Sequence, residues 1–148
     1  MIYYREVIVM QALNLAKYIV TKCVKEDYPI SNLQLQKILY YIQVWFLQNT
    51  RDVAFSDDIE AWQFGPVIPE VYYFFCGFGA MPISSTYDIK ENISHKNKID
   101  NIVTTKRVLP PWDLVEETHN PQKAWKRIYR DGDGNGHVIP VELLREIG

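Results

Sequence analysis

Asp131, Asp133, Asn135 and Glu142 come nearest in this chain to a chemical site by residue type and spacing. Oxygen ligands at positions 1, 3, 5 and 12 of a loop, with glycine at position 6 (here Gly136), are the calcium loop of an EF-hand. Val138 even falls where that loop wants an aliphatic residue. The flanks disagree. The positions one and four before the loop, apolar in EF-hands, are Arg130 and Arg127, and no second such loop exists to pair with it. A turn rich in Gly and Asp between two helices gives the same string for conformational reasons. These four residues are therefore expected not to converge on a cation, and no metal or cofactor is expected.

Catalytic constellations are missing. There is no nucleophile elbow, P-loop, dinucleotide fingerprint or zinc-ligand spacing. His95, His119 and His137 are scattered, without partner carboxylates or cysteines at ligand spacing. His119 follows Glu116-Glu117-Thr118 at an expected helix end, where an imidazole meets the helix dipole and the last carbonyls. Gly65-Pro66-Val67 has one glycine and no lysine, so it reads as a turn and not a phosphate cradle. Cys23 and Cys76 read as buried, reduced thiols. The chain is expected not to be an enzyme.

Binding chemistry is better represented. Lys123, Lys126, Arg127 and Arg130 stand at i, i+3, i+4 and i+7, one basic stripe. Such a stripe is the solvated face of an amphipathic helix or a contact for an acidic partner. A formal net charge of −2 leaves nucleic acid and anionic membranes outside the expected partners. Tyr72, Tyr73, Phe74 and Phe75 are four consecutive aromatics, which a helix points about 100° apart. At least one is expected to be exposed and, with the loop Gly77 to Pro82, to form a partner-binding surface. Aromatic residues make up 14% of the chain, enough to supply such a surface. Trp45, Trp62 and Trp125, each on an otherwise apolar face, are assigned to the core.

The elements that position these residues emerge from periodicity and caps. Val9 to Glu26 reads as a helix, broken at Asp27-Tyr28-Pro29. Ser31 and Gln34 make a capping box, with Ile30 and Leu35 as the hydrophobic staple. The helix they open runs to about Gln48 and is apolar nearly all round, so it must be central and buried. Ile59 to Phe64 is a short strand or a helical turn, and Gly65-Pro66 turns the chain. Helices are then expected from Pro69 to Cys76, around Ile99 to Lys106, from Trp112 to Thr118, from Asn120 to Arg130, and from Val141 to Ile147. Ala80 to Asn97 reads as irregular. Val7 to Met10 is apolar but too short for a membrane span. With 148 residues, a single mainly α domain of five to six helices over residues 1–148, with a small β element, accommodates everything. The absence of targeting signals makes the expected location cytoplasmic.

Three blocks of the sequence resemble a known family. They are Ile30 to Gln43 (ISNLQLQKILYYIQ), Phe55 to Tyr72 (with DDIEAWQFGPVIPEVY), and Asp113 to His119 with Ala124, Trp125 and Tyr129. Together they are similar to the Panacea domain of SocA-like antitoxins, which are associated with phages and mobile elements. The resemblance implies an antitoxin that neutralises a cognate toxin by direct contact, and also a second mode in which the toxin is delivered to a protease. It brings no catalytic residues. The irregular stretch Ser84 to Lys98 and the Gly-rich segment Asp131 to Gly136 depart from the family pattern, which leaves the partner's identity open. A phage-encoded inhibitor of a host defence protein and a calcium-binding regulatory module are the alternatives.

Overall fold

The computed structural model describes residues 9–148, so Val7 and Ile8 of the apolar stretch lie outside the described residues. Among the described residues the order is α1 (Ala12–Lys25), α2 (Asn32–Asn49), β1 (Glu60–Trp62), β2 (Gly65–Val67), α3 (Pro69–Phe75), α4 (Lys96–Lys106), α5 (Pro111–Thr118), α6 (Ala124–Tyr129) and α7 (Val141–Ile147). The fold is mainly α with one small antiparallel hairpin. None of these helices is long and apolar enough to cross a membrane.

α2 is the centre. The Ser31 hydroxyl accepts the Gln34 amide and the Gln34 side chain accepts the Ser31 amide, so the capping box forms. Ile30 and Leu35 are both buried beside it. Around this helix pack α1, α3, α4, α5, α7 and β2. A helix contacted on every side buries polar residues too, and each must find a partner. Asn32 donates to the Tyr72 carbonyl (3.1 Å), and Gln36 donates to the Asn32 side chain (2.9 Å) while accepting the Ile68 amide (2.9 Å). Lys37 donates to the Pro66 carbonyl (3.1 Å). Gln43 donates to the Phe55 carbonyl and accepts the Ala54 amide, both at 2.8 Å. The polar side chains of α2 thus tie down the backbone between Ala54 and Tyr72.

β1 pairs with β2 in the register Glu60–Val67, Ala61–Pro66 and Trp62–Gly65. Gly65 and Pro66 therefore lie inside a strand, and the turn falls at Gln63-Phe64. Gly65 adopts φ +113°, and a Cβ there would meet Lys37 Cε at 2.8 Å and Thr118 Oγ1 at 2.7 Å, so this position requires glycine. On its other side β1 takes up the segment after α6. The Ala61 amide donates to the His137 carbonyl (2.9 Å) and the Gly136 amide to the Ala61 carbonyl (2.7 Å).

Of the boundaries that differ from expectation, two are instructive. α6 begins at Ala124, with Lys123 at its N-cap, because the Asn120 side chain accepts the Gln122 amide in a local turn instead of capping the helix. α3 ends at Phe75, and Cys76–Phe78 continues as a single 3₁₀ turn. That turn leaves the Cys76 thiol exposed, whereas Cys23 is buried as expected.

Candidate functional site

A groove of about 690 Å³ opens beside the start of α2. Its floor is Asn32, Leu33 and Gln36 at the start of α2, and its walls are the hairpin (Glu60, Trp62, Gln63, Phe64, Val67) and Tyr72 of α3. Gly79, Ala80, Asn135 and Gly136 close the remaining side. The floor amides are engaged with each other and with backbone, so they hold the groove's shape. The aromatic wall is interlocked. Trp62 meets Tyr72 edge-on at 5.1 Å and Tyr73 at 6.0 Å, and its indole donates to Glu60 Oε1 at 3.0 Å.

Exposed aromatics continue the groove's rim. Phe64 stands edge-to-face with Trp112 at 5.3 Å, and the two are 47% and 61% exposed. Tyr73 is 63% exposed. A cluster of large apolar side chains left in water beside a preformed groove is the usual form of a protein-contact surface.

The four consecutive aromatics do not act as one surface. Tyr72 lines the groove, and Tyr73 stands outside it against Trp62, largely in water. Phe74 packs beside Phe75 and Tyr87, with the Lys17 ammonium 5.0 Å from its ring. Phe75 is fully buried and, contrary to expectation, cannot touch a partner, because it shares the inner face of α3 with Val71 one turn earlier. Of the tryptophans assigned to the core, only Trp125 is fully buried. Trp62 is half-buried on the groove wall, and Trp45 is half-buried against His95. Hairpin and helix surfaces that bound a groove have neighbours on one side only.

The basic stripe is not continuous either. Lys123 and Arg130 are the two caps of a six-residue helix, Arg130 at φ +47°, so they leave the helical register. Lys126 turns back to Asp131 at 3.5 Å, while Arg127 is exposed.

The EF-hand-like string serves helix termination and the hairpin. Arg130, Asp131, Gly132 and Gly136 all have positive φ. The Gly134 amide donates to the Tyr129 carbonyl at 2.9 Å, and a Cβ on Gly134 would lie 1.6 Å from the Ile128 oxygen. Asp131 is ion-paired with Lys126, Asp133 is exposed, Asn135 lines the groove, and Glu142 is exposed in the first turn of α7. Among the described residues no three His, Cys, Asp or Glu side chains are grouped to hold a metal ion.

The His119 backbone N–H donates to the Val115 and Glu116 carbonyls at the end of α5, both at 3.1 Å, but its side chain forms no hydrogen bond to them. Its ring stacks flat on Trp125 (3.8 Å, 2°), and its Nε2 is buried without a partner. Burial, then the charges of Lys37 and Lys126, hold its pKa below the ordinary value. A neutral imidazole gains little from the helix dipole, so stacking replaces the expected capping role.

Sequence reading missed Lys37, Glu60, Phe64 and Trp112. Lys37 carried a signal: a lysine on a helix otherwise apolar all round must either reach water or be buried. For Phe64 and Trp112 there was none, since exposure of an aromatic depends on what packs over it.

Comparison with known proteins bears on this geometry. A family model described as "Antitoxin SocA-like, Panacea domain" matches residues 35–126, from α2 into α6. Antitoxin SocA of Caulobacter vibrioides (strain NA1000 / CB15N) is 40% identical over 70 residues, 47% of this chain and 37% of that protein. The match thus spans well under half of the relative's length. No solved structure matches the chain.

Proposed function

From the premise that this chain belongs to the SocA-like Panacea domain family, we propose that it is an antitoxin that neutralises a cognate toxin by direct binding in the cytoplasm. The observation that carries this reading is the preformed groove rimmed by the exposed pair Phe64–Trp112 and by Tyr73. Rigid aromatics beside a concave floor are where binding energy concentrates, because they lose little conformational entropy on contact. The matched region contains most of the groove: the hairpin, Gln36, Tyr72, Gly79 and Ala80. Asn135 and Gly136 come from the segment after that region, which forms one side of the groove and would tune the choice of partner. Binding, and not catalysis, is the chemistry offered: the groove holds one carboxylate and no nucleophile–base pair.

Growth rescue tests this. Expressed alone, the toxin encoded beside this gene arrests growth, and co-expression of the wild-type chain restores it. A triple replacement, F64A/W112A/Y73A, is expected to abolish rescue while the protein still melts cooperatively, since all three side chains are exposed. Truncating each such anchor costs about 1–2 kcal/mol of binding or more. Full rescue by the triple variant would remove the groove rim from the interface, and a harmless neighbour would remove the antitoxin reading. Toxin abundance in rescued cells separates occlusion, which leaves it unchanged, from delivery to a protease, which lowers it.

A further inference from the structure

Among the residues that line the groove, Glu60 is the one carboxylate, and no Lys, Arg or His is present. It is half-buried on β1 and forms no ion pair among the described residues. Its Oε1 accepts the Trp62 indole N–H at 3.0 Å, which leaves Oε2 to accept from a ligand's donor. Trp62 and Tyr72 stand beside it with ring centroids 5.1 Å apart. The floor amides Asn32 and Gln36 are spent on each other and on backbone, so any selection by charge falls to Glu60.

A carboxylate at the N–H edge of one aromatic ring, with a second ring nearby, attracts a cation through a charge-assisted hydrogen bond and through the quadrupole of whichever ring face the cation reaches. Guanidinium suits both at once. It is planar and weakly hydrated, so it stacks on an indole while an edge N–H reaches an oxygen, whereas a compact ammonium gives up a stronger hydration shell.

We propose that the groove takes an arginine side chain of the protein partner, its guanidinium held by Glu60 and laid against Trp62 and Tyr72. This deepens, and rests on, the reading of the groove as the partner-binding face.

The test needs no toxin. The ¹⁵N-labelled full chain has four tryptophan indole signals, and Trp62→Phe assigns the one of interest. N-acetyl-arginine methylamide is titrated against its neutral isostere, N-acetyl-citrulline methylamide. The Trp62 indole signal is expected to respond to the arginine probe with an affinity at least about fivefold higher than to the citrulline probe. Glu60→Gln, whose side-chain oxygen still accepts the indole N–H, should erase that preference without changing the melting temperature. Trp62→Leu, read at the Ala61 amide, gives a second measure: the arginine response should fall by a similar factor. Equal response to the two probes, or a preference that survives Glu60→Gln, overturns the proposal. Arginine preference without growth rescue keeps this inference and rejects the antitoxin reading. Groove-dependent rescue without arginine preference does the reverse.

Discussion

Lys37 sits in the middle of α2 with no accessible surface, and its Nζ donates one hydrogen bond, to the Pro66 carbonyl. Burial in the helix-packed interior lowers its pKa from the ordinary 10.5 to about 7. In the unfolded chain the amine keeps its proton up to its ordinary value, while the folded chain releases it near neutrality. The unfolded state therefore binds more protons across that window, and stability rises with pH from about 7 to 10.5. Below that window the cost is present in full. Lys37→Met should raise stability at pH 6 by roughly 1–4 kcal/mol, as apolar replacement of buried charge does, and flatten the pH dependence. Thermal melts of both proteins between pH 6 and 10 check it; parallel curves would show that the amine reaches water. His119 acts in the same direction at lower pH, because its depressed pKa keeps it neutral in the fold.

At the scale of elements, the short helix α6 is held by stacked rings and by the loop at its C-terminal end. Trp125 stacks between His119 and Tyr129 and donates its indole N–H to the Trp62 carbonyl at 2.8 Å, joining α5, α6 and the hairpin. The glycine-rich loop must then reverse the chain within a few residues to lay His137 and Val138 beside β1. Gly134 makes this reversal against the Ile128 carbonyl, where no Cβ fits. Gly134→Ala is expected to cost about 2–4 kcal/mol of stability through backbone displacement. If the loop serves conformation, calorimetry should detect no micromolar calcium binding, and the melting temperature should be the same in millimolar calcium and in chelator. Micromolar binding abolished by Glu142→Ala would instead assign the loop to a cation.

For the whole molecule, α2 is the mast around which α1, α3, α4, α5, α7 and β2 pack. Its apolar side chains fill the core, and its amides and lysine secure the segment that forms the groove. Leu39, fully buried at the centre, should lose about 2–5 kcal/mol on truncation to Ala. Trp62→Ala should cost less, because the ring has partners on one side only, and should instead weaken partner binding. Denaturant unfolding of the two variants, set beside growth rescue, separates the framework residue from the surface one. Near-wild-type stability of Leu39→Ala would move the centre of the core elsewhere.

Local rules were enough for much of the architecture. The capping box, the staple, the all-round apolar pattern of α2 and the proline opening α3 act within a few residues of chain, so the string of residues determined them. The likeness of Ile30–Gln43 and Phe55–Tyr72 to one family was equally present in the sequence, and in the fold these two blocks meet, Asn32, Gln36 and Lys37 bonding to Tyr72, Ile68 and Pro66. What tertiary structure alone decided is exposure. Tyr73 and Phe75 are the same kind of residue two positions apart, yet one is in water and the other fully buried, because α1 and α2 cover only one side of α3. The groove likewise needs α2, the hairpin and Asn135 brought together from across more than half the chain. Periodicity reports which side chains are apolar; only the packing of distant segments sets which of them remain uncovered, and a binding surface consists of those.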